Sequence, residues 1–288
     1  MMRIIRTIPE MQEASLQLRR EGKLIGFVPT MGFLHEGHLS LMRIAREKSD
    51  ALVTSIFVNP TQFGPGEDLG AYPRDLPGDE ALCEREGVDI IFYPSQEEVY
   101  APDHTVYVVE DDLSNALCGL SRPVHFRGVL TVVAKLFHIV LPDLAVFGKK
   151  DTQQFRLIEQ MVRDLNFPIR VLSGPIIREP DGLAMSSRNK YLSPTEREDA
   201  TSLYAALQEV ESLYADGERD AGVLQQSIRQ RIGQTSSRRI DYVEVVDYQT
   251  LKPVQEIQRE VLVALAVFFG NARLIDNTLL HSPPNTTL

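Results

Sequence analysis

Tryptophan is absent from this chain of 288 residues, and cysteine occurs only twice, as Cys83 and Cys118. Two cysteines without a CxxC spacing give no disulfide framework, which fits a reducing cytoplasm. No apolar run approaches the roughly 20 residues of a membrane span, and the N-terminal segment lacks the apolar core of a signal peptide. No GxSxG pattern occurs either, so an esterase-type serine has no support. We therefore expect a cytoplasmic protein without a membrane partner.

Positive charge is also in the minority. The chain has 30 Lys and Arg residues against 40 Asp and Glu residues, a formal net charge of −10. A protein that grips a phosphate backbone usually carries a broad basic surface, so a nucleic-acid partner is not expected. The 43% hydrophobic and 24% charged residues are ordinary for a globular protein, and this length predicts one or two domains.

The most informative stretch covers residues 24–45. An apolar run at 24–28 predicts a buried strand that ends at Pro29, and apolar residues recurring after His38 predict a helix from that residue onward. Between them, Gly32 and Gly37 permit a tight turn. A strand that turns through glycines into a helix is a phosphate site, because the first helical N–H groups lack partners and the helix dipole favours an anion.

Strand-like and helix-like segments alternate through residue 177. Apolar runs predict strands at 51–58, 88–93, 105–109, 144–147 and 169–177, and periodic segments predict helices at 76–86, 125–140 and 151–166. The last of these helices carries Phe155, Ile158, Val162 and Leu165 on one stripe. This alternation predicts an α/β fold: a Rossmann-like parallel sheet with helices on both faces and ligands at the carboxyl ends of the strands.

The pattern changes at the turn-forming residues 178–182. Ser193 and Glu196 flank a proline and form a capping box, which predicts a helix through about residue 214. A second helix at 221–232 and strands at 240–246, 261–269 and 273–275 follow. We expect two domains, a Rossmann-like domain at 1–177 that binds the ligands and a smaller C-terminal α+β lid domain at 178–288.

The mouth of the predicted phosphate site carries His35, Gly37 and His38 in a His-x-Gly-His pattern. Two solvated loop histidines would produce the same pattern, as would a metal pair, although no further ligand lies nearby in the sequence. The pattern resembles the HIGH signature of class I aminoacyl-tRNA synthetases and related nucleotidyltransferases. The fuller string PTMGxLHxGH at residues 29–38 is narrower and is similar to the pantothenate synthetase (pantoate–β-alanine ligase) family.

Four further segments resemble this family, in the same order along the chain: NPTQ at 59–62, DLGAYPR at 68–74, FGKKDTQQ at 147–154 and MSSRN at 185–189. The resemblance implies ATP-dependent condensation of (R)-pantoate with β-alanine to pantothenate through a pantoyl-adenylate, with release of pyrophosphate and AMP. It also implies Mg²⁺ and a homodimer. This sequence has Lys149 where the family usually has Glu, a change expected to alter surface charge and not the chemistry.

The resemblance implies the roles of individual residues as well. The residues implied in catalysis are His35, His38, Lys150 and Arg188. Those implied in ATP binding are Pro29, Thr30, Met31, Gly32, His35, Gly37, His38, Gly148, Lys150, Asp151, Ile177, Met185, Ser186, Ser187 and Arg188. Those implied in binding pantoate or β-alanine are Met31, Asn59, Gln62, Tyr72, Arg122 and Gln154. Asp79 is a weak candidate for binding Mg²⁺, because the family often has paired acidic residues in this segment and only Asp79 remains here. The metal is expected mainly on the ATP phosphates.

Other interpretations of single residues stay open. Asp151 is also a natural N-cap, with Gln154 where a capping box needs Glu or Gln. His125 fits a structural histidine, His138 a packed core histidine, and both cysteines inert side chains. Three other functions stay open: a class I aminoacyl-tRNA synthetase, a nucleotidyltransferase acting on a phosphorylated cofactor precursor, and an ATP-binding regulator without turnover. A metal-dependent hydrolase is not expected, because the sequence lacks the ligands.

Overall fold

A computed structural model describes residues 2–235 and 238–281. The chain divides into two compact units. The first contains residues 2–111, 122–149 and 154–177, and the second contains 112–121, 150–153 and the residues from 178 onward. A border between the units falls at 177/178, and residues 112–121 and 150–153 group with the second unit. No helix in the described ranges is long and apolar enough to cross a membrane.

The first unit is built on a six-stranded sheet in which all neighbouring strands are parallel. Its strands are β1 (Arg3–Ile5), β2 (Ile25–Thr30), β3 (Ala51–Ile56), β4 (Ile90–Phe92), β5 (Leu144–Gly148) and β6 (Arg170–Gly174), in the order β1-β4-β3-β2-β5-β6. After β2 the chain adds β3 and β4 on one side of β2, and it then crosses to the other side, where it adds β5 and β6. Such a reversal leaves a crevice at the carboxyl ends of the two strands, where ligands of α/β sheets bind.

Helices connect these strands. They are α1 (Ile8–Arg20), α2 (Glu36–Arg46), α3 (Leu76–Arg85), α4 (Gln96–Val99), α6 (His125–Val140) and α7 (Thr152–Asp164); the short α5 (Cys118–Ser121) belongs to the second unit. Large apolar side chains such as Phe27, Phe92 and Phe137 are fully buried. Burying each contributes about 1.5–3 kcal/mol. The predicted α/β class with a parallel sheet is confirmed.

The second unit contains a three-stranded antiparallel sheet in the order β7-β8-β9. Its elements are β7 (Arg238–Asp247), β8 (Val261–Phe269), β9 (Ala272–Leu280), α8 (Pro194–Ala200), α9 (Ser202–Ala215) and α10 (Ala221–Gly233). The predicted capping box is present, since Ser193 accepts from the Glu196 N–H and the Glu196 carboxylate accepts from the Ser193 N–H. The single helix predicted after it is wrong, because the chain breaks at Thr201 into α8 and α9.

Several local predictions need correction. Residues 105–109 form no strand: Val106 is 76% exposed, and the Val108 N–H donates to Thr131 Oγ1 of α6 at 3.0 Å instead of to a neighbouring strand. His138 is exposed and not part of the core. Leu165 lies just beyond the end of α7 and is 54% exposed, while Leu157 and Met161 fill the buried face of the helix together with the predicted Phe155 and Ile158. The sequence analysis also missed β1 and α1.

Candidate active site

The turn after β2 is shaped by Gly32. The strand does not end at Pro29 as predicted but runs through Thr30, with Pro29 opposite Ser55 of β3. Gly32 has φ +82°, and a Cβ there would lie 2.9 Å from Ile56 Cγ2 and 3.0 Å from Asp79 Oδ2. A side chain at this position would therefore meet both backbone strain and close contacts. The glycine allows the chain to turn tightly toward α2.

A buried carboxylate holds this turn. Asp79 lies in the first turn of α3 and accepts from the Phe33 N–H at 2.9 Å and the Leu34 N–H at 2.7 Å, one on each oxygen. Burial raises the pKa of Asp79, and the two backbone donors partly offset that effect. Both oxygens therefore brace the turn after β2, and a metal contact of Asp79 stays a prediction.

No group of three or more His, Cys, Asp or Glu side chains within residues 2–235 and 238–281 is arranged to hold a metal ion. Binding of Mg²⁺ mainly through the phosphates of ATP stays a prediction.

The two motif histidines cap α2. The helix begins at Glu36 with His35 as its N-cap, slightly earlier than the predicted start at His38. His35 Nδ1 accepts from the Gly37 N–H at 3.2 Å, and His38 Nδ1 accepts from the His35 N–H at 3.3 Å. A neutral imidazole that accepts at Nδ1 carries its proton on Nε2. Each ring is therefore held as a donor through Nε2–H.

This arrangement changes how the site would bind an anion. The sequence analysis assigned the anion to bare backbone N–H groups, but the Gly37 N–H is already capped by His35. The ring centroids of His35 and His38 lie 4.1 Å apart at the helix N-terminus, where the dipole favours negative charge. A Cβ on Gly37 would come within 2.9 Å of the His35 ring. The imidazoles thus replace part of the backbone donor set, and Gly37 leaves room for them.

A second polar turn follows β3, at residues 59–62. Asn59 is buried, and its Nδ2 donates to Gln62 Oε1 and to the Gly128 carbonyl, both at 3.1 Å. Gln62 Nε2 lies 3.0 Å from Met31 Sδ. The structure therefore brings together three residues predicted to bind substrate, and it uses Asn59 to orient Gln62.

Arg122 performs a structural task in this part of the molecule. Its Nε and Nη2 donate to the two carboxylate oxygens of Glu67 at 2.9 and 2.6 Å. His125 Nδ1 lies 2.9 Å from the Gln62 carbonyl, as expected of a structural histidine. Arg122 also donates from Nη2 to the Gln62 carbonyl at 3.4 Å and thus supports the 59–62 turn directly, and a contact with substrate stays a prediction.

The Arg122–Glu67 pair gives a test by pH. Burial acts to raise the pKa of Glu67, but the hydrogen bonds and charge of Arg122 outweigh it and hold the pKa below its usual value. A carboxyl with a lowered pKa stabilises the fold above its unfolded pKa of about 4.3, and that contribution is lost as the pH falls through the folded pKa. Glu67→Gln should cost about 1–3 kcal/mol of unfolding free energy at pH 7, less where solvent screens the pair, and the difference from wild type should shrink below about pH 4.

Urea unfolding at pH 7 and at about pH 3.5 measures this difference, with Glu84→Gln on the exposed face of α3 as the control. An equal cost of Glu67→Gln at both pH values would show that the ion pair does not carry the effect.

Gly128 permits the close approach of α6 to the 59–62 turn. A Cβ there would lie 2.3 Å from the Thr61 carbonyl oxygen and 2.5 Å from the Gln62 nitrogen, both backbone atoms. Gly128→Ala should therefore destabilise the protein by about 1–3 kcal/mol and displace Gln62, raising the KM for the acid substrate that the family resemblance implies. Urea unfolding and a steady-state activity assay measure the two effects.

Gly70→Ala is the matched control, because nothing lies within 4 Å of a Cβ at Gly70. Normal stability and KM in Gly128→Ala would contradict the proposed packing constraint.

Lys150 and Asp151 are anchored within the second unit. Asn277 of β9 donates from Nδ2 to the Lys150 carbonyl at 2.9 Å and accepts from Thr152 Oγ1 at 3.1 Å. Gln153 accepts from the Cys118 N–H and donates to the carbonyls of 113 and 116. These bonds explain why 150–153 group with this unit. The Lys150 side chain is 21% exposed, with Nζ 3.8 Å from Asp151 Oδ2.

The 185–189 loop has a defined conformation. Ser186 caps a 3-10 turn over Ser187–Tyr191 and accepts from the Arg188 N–H at 3.2 Å. Asn189 Nδ2 donates to Glu179 Oε1 and to the Ala184 carbonyl, which fixes the base of the loop. Ser187 is buried, whereas Met185 and Arg188 are half-buried. The predicted phosphate-binding residues of this loop therefore stand on a braced turn.

The remaining predicted residues occupy varied places. Gly148 ends β5, and Ile177 follows β6 and is half-buried. A 3-10 turn over Lys149–Asp151 leads directly into α7, and the half-buried Gln154 lies in the first turn of that helix. Tyr72 is buried, with its ring edge-on to Phe63 at 6.1 Å between centroids.

Sequence reasoning missed the supporting residues of the site. They are Glu67, Tyr100, Gly128, Gln153 and Asn277, together with the structural role of Asp79. Apart from Gln153, none of them belongs to a sequence motif that predicted the site, and their partners lie far away in the sequence. Gln153 in FGKKDTQQ was the one visible signal, since a second glutamine adjoins the predicted Gln154. Of the two cysteines, Cys83 is inert as expected, because burial raises its pKa to about 12.

The fold and site define an α/β protein that is built to bind an anionic ligand at the carboxyl edge of a parallel sheet. The sequence model of the Pantoate-beta-alanine ligase family matches residues 3–279, and the chain belongs to that family. The predicted family and the predicted enzyme class, a ligase joining pantoate and β-alanine, are thereby confirmed.

Relatives match over nearly their full length. A pantothenate synthetase from Thermotoga petrophila is 58% identical over 279 residues, which cover 97% of this chain and 100% of the relative. One from Moorella thermoacetica is 52% identical over 280 residues, 97% of this chain and 99% of the relative.

Solved structures agree with the fold. Pantothenate synthetase from Thermus thermophilus has a TM-score of 0.90 and 43% identity, covering 96% of this chain and 99% of that one. A pantoate-beta-alanine ligase from Francisella tularensis, solved in complex with beta-gamma ATP and beta-alanine, has a TM-score of 0.80 and 34% identity, covering 97% of this chain and 98% of that one.

Proposed function

We propose that this protein condenses (R)-pantoate with β-alanine in two steps, through a pantoyl-adenylate. Family membership supports the overall reaction, pantothenate formation with ATP. The observation that carries the proposal is the histidine-capped N-terminus of α2 at the carboxyl end of β2, where the strand order reverses. This position suits a triphosphate, and it lies beside the Met31–Gln62 pair that suits a small carboxylate.

In the first step the pantoate carboxylate attacks the α-phosphorus of ATP. The new bond joins a carboxylate oxygen to that phosphorus, the bond to the bridging oxygen breaks, and pyrophosphate leaves with the electron pair. Negative charge builds on the departing oxygen. We assign its stabilisation to the Nε2–H donors of His35 and His38 and to the cations Lys150 and Arg188. Ser186 and Ser187 add hydroxyl donors to the same phosphates.

The nucleotide also needs residues that hold it without reacting. We assign this task to the backbone and side chains of the turn after β2 and to residues near the ends of β5 and β6. They are Pro29, Thr30, Met31, Gly32, Gly37, Gly148, Asp151, Ile177 and Met185. Mg²⁺ is assigned to the ATP phosphates and enters as part of the nucleotide substrate.

Pantoate recognition is assigned to neutral amides. Gln62 and Gln154 donate to its carboxylate and hydroxyl groups without neutralising the carboxylate, which must remain nucleophilic. Asn59 orients Gln62, and Tyr72 packs beside the substrate. Arg122, which is paired with Glu67, supports the same turn through its hydrogen bond to the Gln62 carbonyl.

In the second step the amine of β-alanine attacks the acyl carbon, the bond to the AMP oxygen breaks, and the nitrogen gives up a proton. We propose that the amine binds in its neutral form, with orientation supplying most of the acceleration. The homodimer and the cytoplasmic location stay predictions, and light scattering of the purified protein measures the oligomeric state.

One assay tests the two-step scheme. ATP and pantoate are incubated with and without β-alanine, and pyrophosphate and AMP are followed separately. We expect pantoate alone to give about one pyrophosphate per active site, and free AMP to be released in quantity only after β-alanine is added. Pyrophosphate release that requires β-alanine would refute a discrete adenylate, and release driven by a phosphorylated ligand in place of pantoate would favour a nucleotidyltransferase.

A further inference from the structure

The direction in which the Gln62 amide faces decides what it offers to a ligand. Its carbonyl oxygen accepts hydrogen bonds and its NH₂ group donates them. In the structure Oε1 accepts from Asn59 Nδ2 at 3.1 Å, while Nε2 lies 3.0 Å from Met31 Sδ. The donor end is therefore directed toward Met31, which suits a carboxylate ligand.

Asn59 sets that direction, and its own amide is fixed at both ends. Its two N–H donors go to Gln62 Oε1 and to the Gly128 carbonyl at 3.1 Å, and the carbonyl can only accept. Its Oδ1 accepts from the hydroxyls of Tyr100 at 2.9 Å and Thr61 at 3.0 Å. A reversed Asn59 would place its oxygen against two acceptors in a buried site, at the full cost of unmade hydrogen bonds.

Tyr100 and Thr61 therefore stand at the start of a chain of defined polarity. Burial raises the pKa of Tyr100, so its hydroxyl keeps its proton and can donate at neutral and moderately alkaline pH. The two hydroxyl oxygens lie 3.2 Å apart. If one hydroxyl donates its hydrogen bond to the other, the second hydroxyl still donates to Asn59 Oδ1. The direction of donation runs from these hydroxyls through Asn59 to Gln62.

We propose that Tyr100 and Thr61 are positioning residues for pantoate, because their hydroxyls fix the Asn59 amide and thereby make Gln62 present its NH₂ group to the pantoate carboxylate. The inference rests on the proposed role of Gln62 in binding pantoate. Neither positioning residue needs to touch the substrate.

The test measures the KM for pantoate in pyrophosphate release. Tyr100→Phe and Thr61→Val each remove one of two hydroxyl donors and should raise this KM about 3- to 10-fold, the effect of one neutral hydrogen bond. The double variant should exceed the product of the two, because it leaves the Asn59 oxygen without either donor. The KM for ATP should change less than about 2-fold throughout, since the chain of hydrogen bonds ends at the Gln62 amide, which is assigned to pantoate. Thr61→Ser, which keeps the hydroxyl, should stay near the wild type.

Tyr107→Phe is the matched control. Tyr107 lies on the same segment as Tyr100, but the Arg127 guanidinium stacks over its ring. Within the described residues, the tyrosine that donates to Asn59 is Tyr100. Melting temperatures separate loss of binding from loss of folding. If the double variant does not fold, the two single variants carry the test.

Gln62→Ala separates the inference from the function on which it rests. If Gln62→Ala leaves the KM for pantoate unchanged, the assignment of Gln62 to pantoate fails, and the inference with it. If Gln62→Ala raises this KM but Tyr100→Phe and Thr61→Val do not, only the inference is overturned. In the Gln62→Ala background Tyr100→Phe should add no further effect. A full additive effect there, or a fall in kcat with both KM values unchanged, would also overturn it.

Discussion

Replacing His38 by alanine should slow pyrophosphate formation from ATP and pantoate about 10²–10³-fold, because it removes one preorganised donor to a developing negative charge. The structure gives His38 two separate tasks. Its Nδ1 caps the His35 N–H, and its Nε2–H is the donor that we assign to a phosphate. His38→Ala removes both and should also cost about 1 kcal/mol of stability through the lost cap.

Two amide variants separate these tasks. His38→Asn places an amide oxygen near the position of Nδ1, so it should keep the cap and the stability but lose turnover almost as severely as alanine. His38→Gln reaches the position of Nε2, so it should recover part of the rate while losing the cap. Rapid-quench measurement of pyrophosphate, combined with urea unfolding, gives both quantities. If His38→Asn turned over at nearly the wild-type rate, the donor role would be refuted and the residue would be a cap only.

Lys150→Ala should have an effect of similar size, about 10²–10³-fold on the same step, since it removes a full positive charge from the proposed phosphate site. The fold should be unaffected. The segment is held through the Lys150 carbonyl by Asn277, and the side chain's ion pair with Asp151, at 3.8 Å and partly exposed, contributes little. Lys150→Arg keeps the charge but changes its geometry and should lie between alanine and wild type.

Lys149→Glu is the matched control for charge. It places at position 149, next to Lys150, the glutamate that the family resemblance implies there. The rate of adenylate formation should stay within about 3-fold of wild type when it is measured at high salt, which suppresses long-range electrostatics. Equal losses in Lys149→Glu and Lys150→Ala would mean that the site responds to net charge and that Lys150 has no specific role. A normal rate in Lys150→Ala would remove it from the mechanism.

The sequence predicted those parts of the fold in which local pattern and burial agree. The apolar runs at β3 and β8 became central strands, and Ser193 formed its predicted capping box. The prediction was wrong for residues 105–109, where an apolar alternation met no partner strand in the described chain and the Val108 N–H bonds to a threonine of α6. Alternation shows that a segment is able to pair, but a neighbouring strand must be present for it to do so.

For the candidate site, too, the sequence predicted some features and missed others. The spacing of His35 and His38, the NPTQ turn and the order of the motifs indicated the family and the edge of the sheet that binds ligands. The sequence did not reveal that His35 caps the helix or that Asn59 orients Gln62. It also did not reveal that Asp79 accepts from the Leu34 N–H or that Arg122 donates to Glu67. The contacts of Asp79 with a metal and of Arg122 with substrate stay predictions.

By itself the sequence determined the family, the alternation of strands and helices, and the candidates for the chemically active side chains, because hydrophobic period and motif spacing are local properties. Only the tertiary structure decided the hydrogen-bond partners. Asp79 lies 46 residues from Phe33, Tyr100 lies 41 from Asn59, and Arg122 lies 55 from Glu67. A buried polar group must be satisfied by whichever neighbour the fold supplies, and that neighbour is set by packing between elements far apart in the chain.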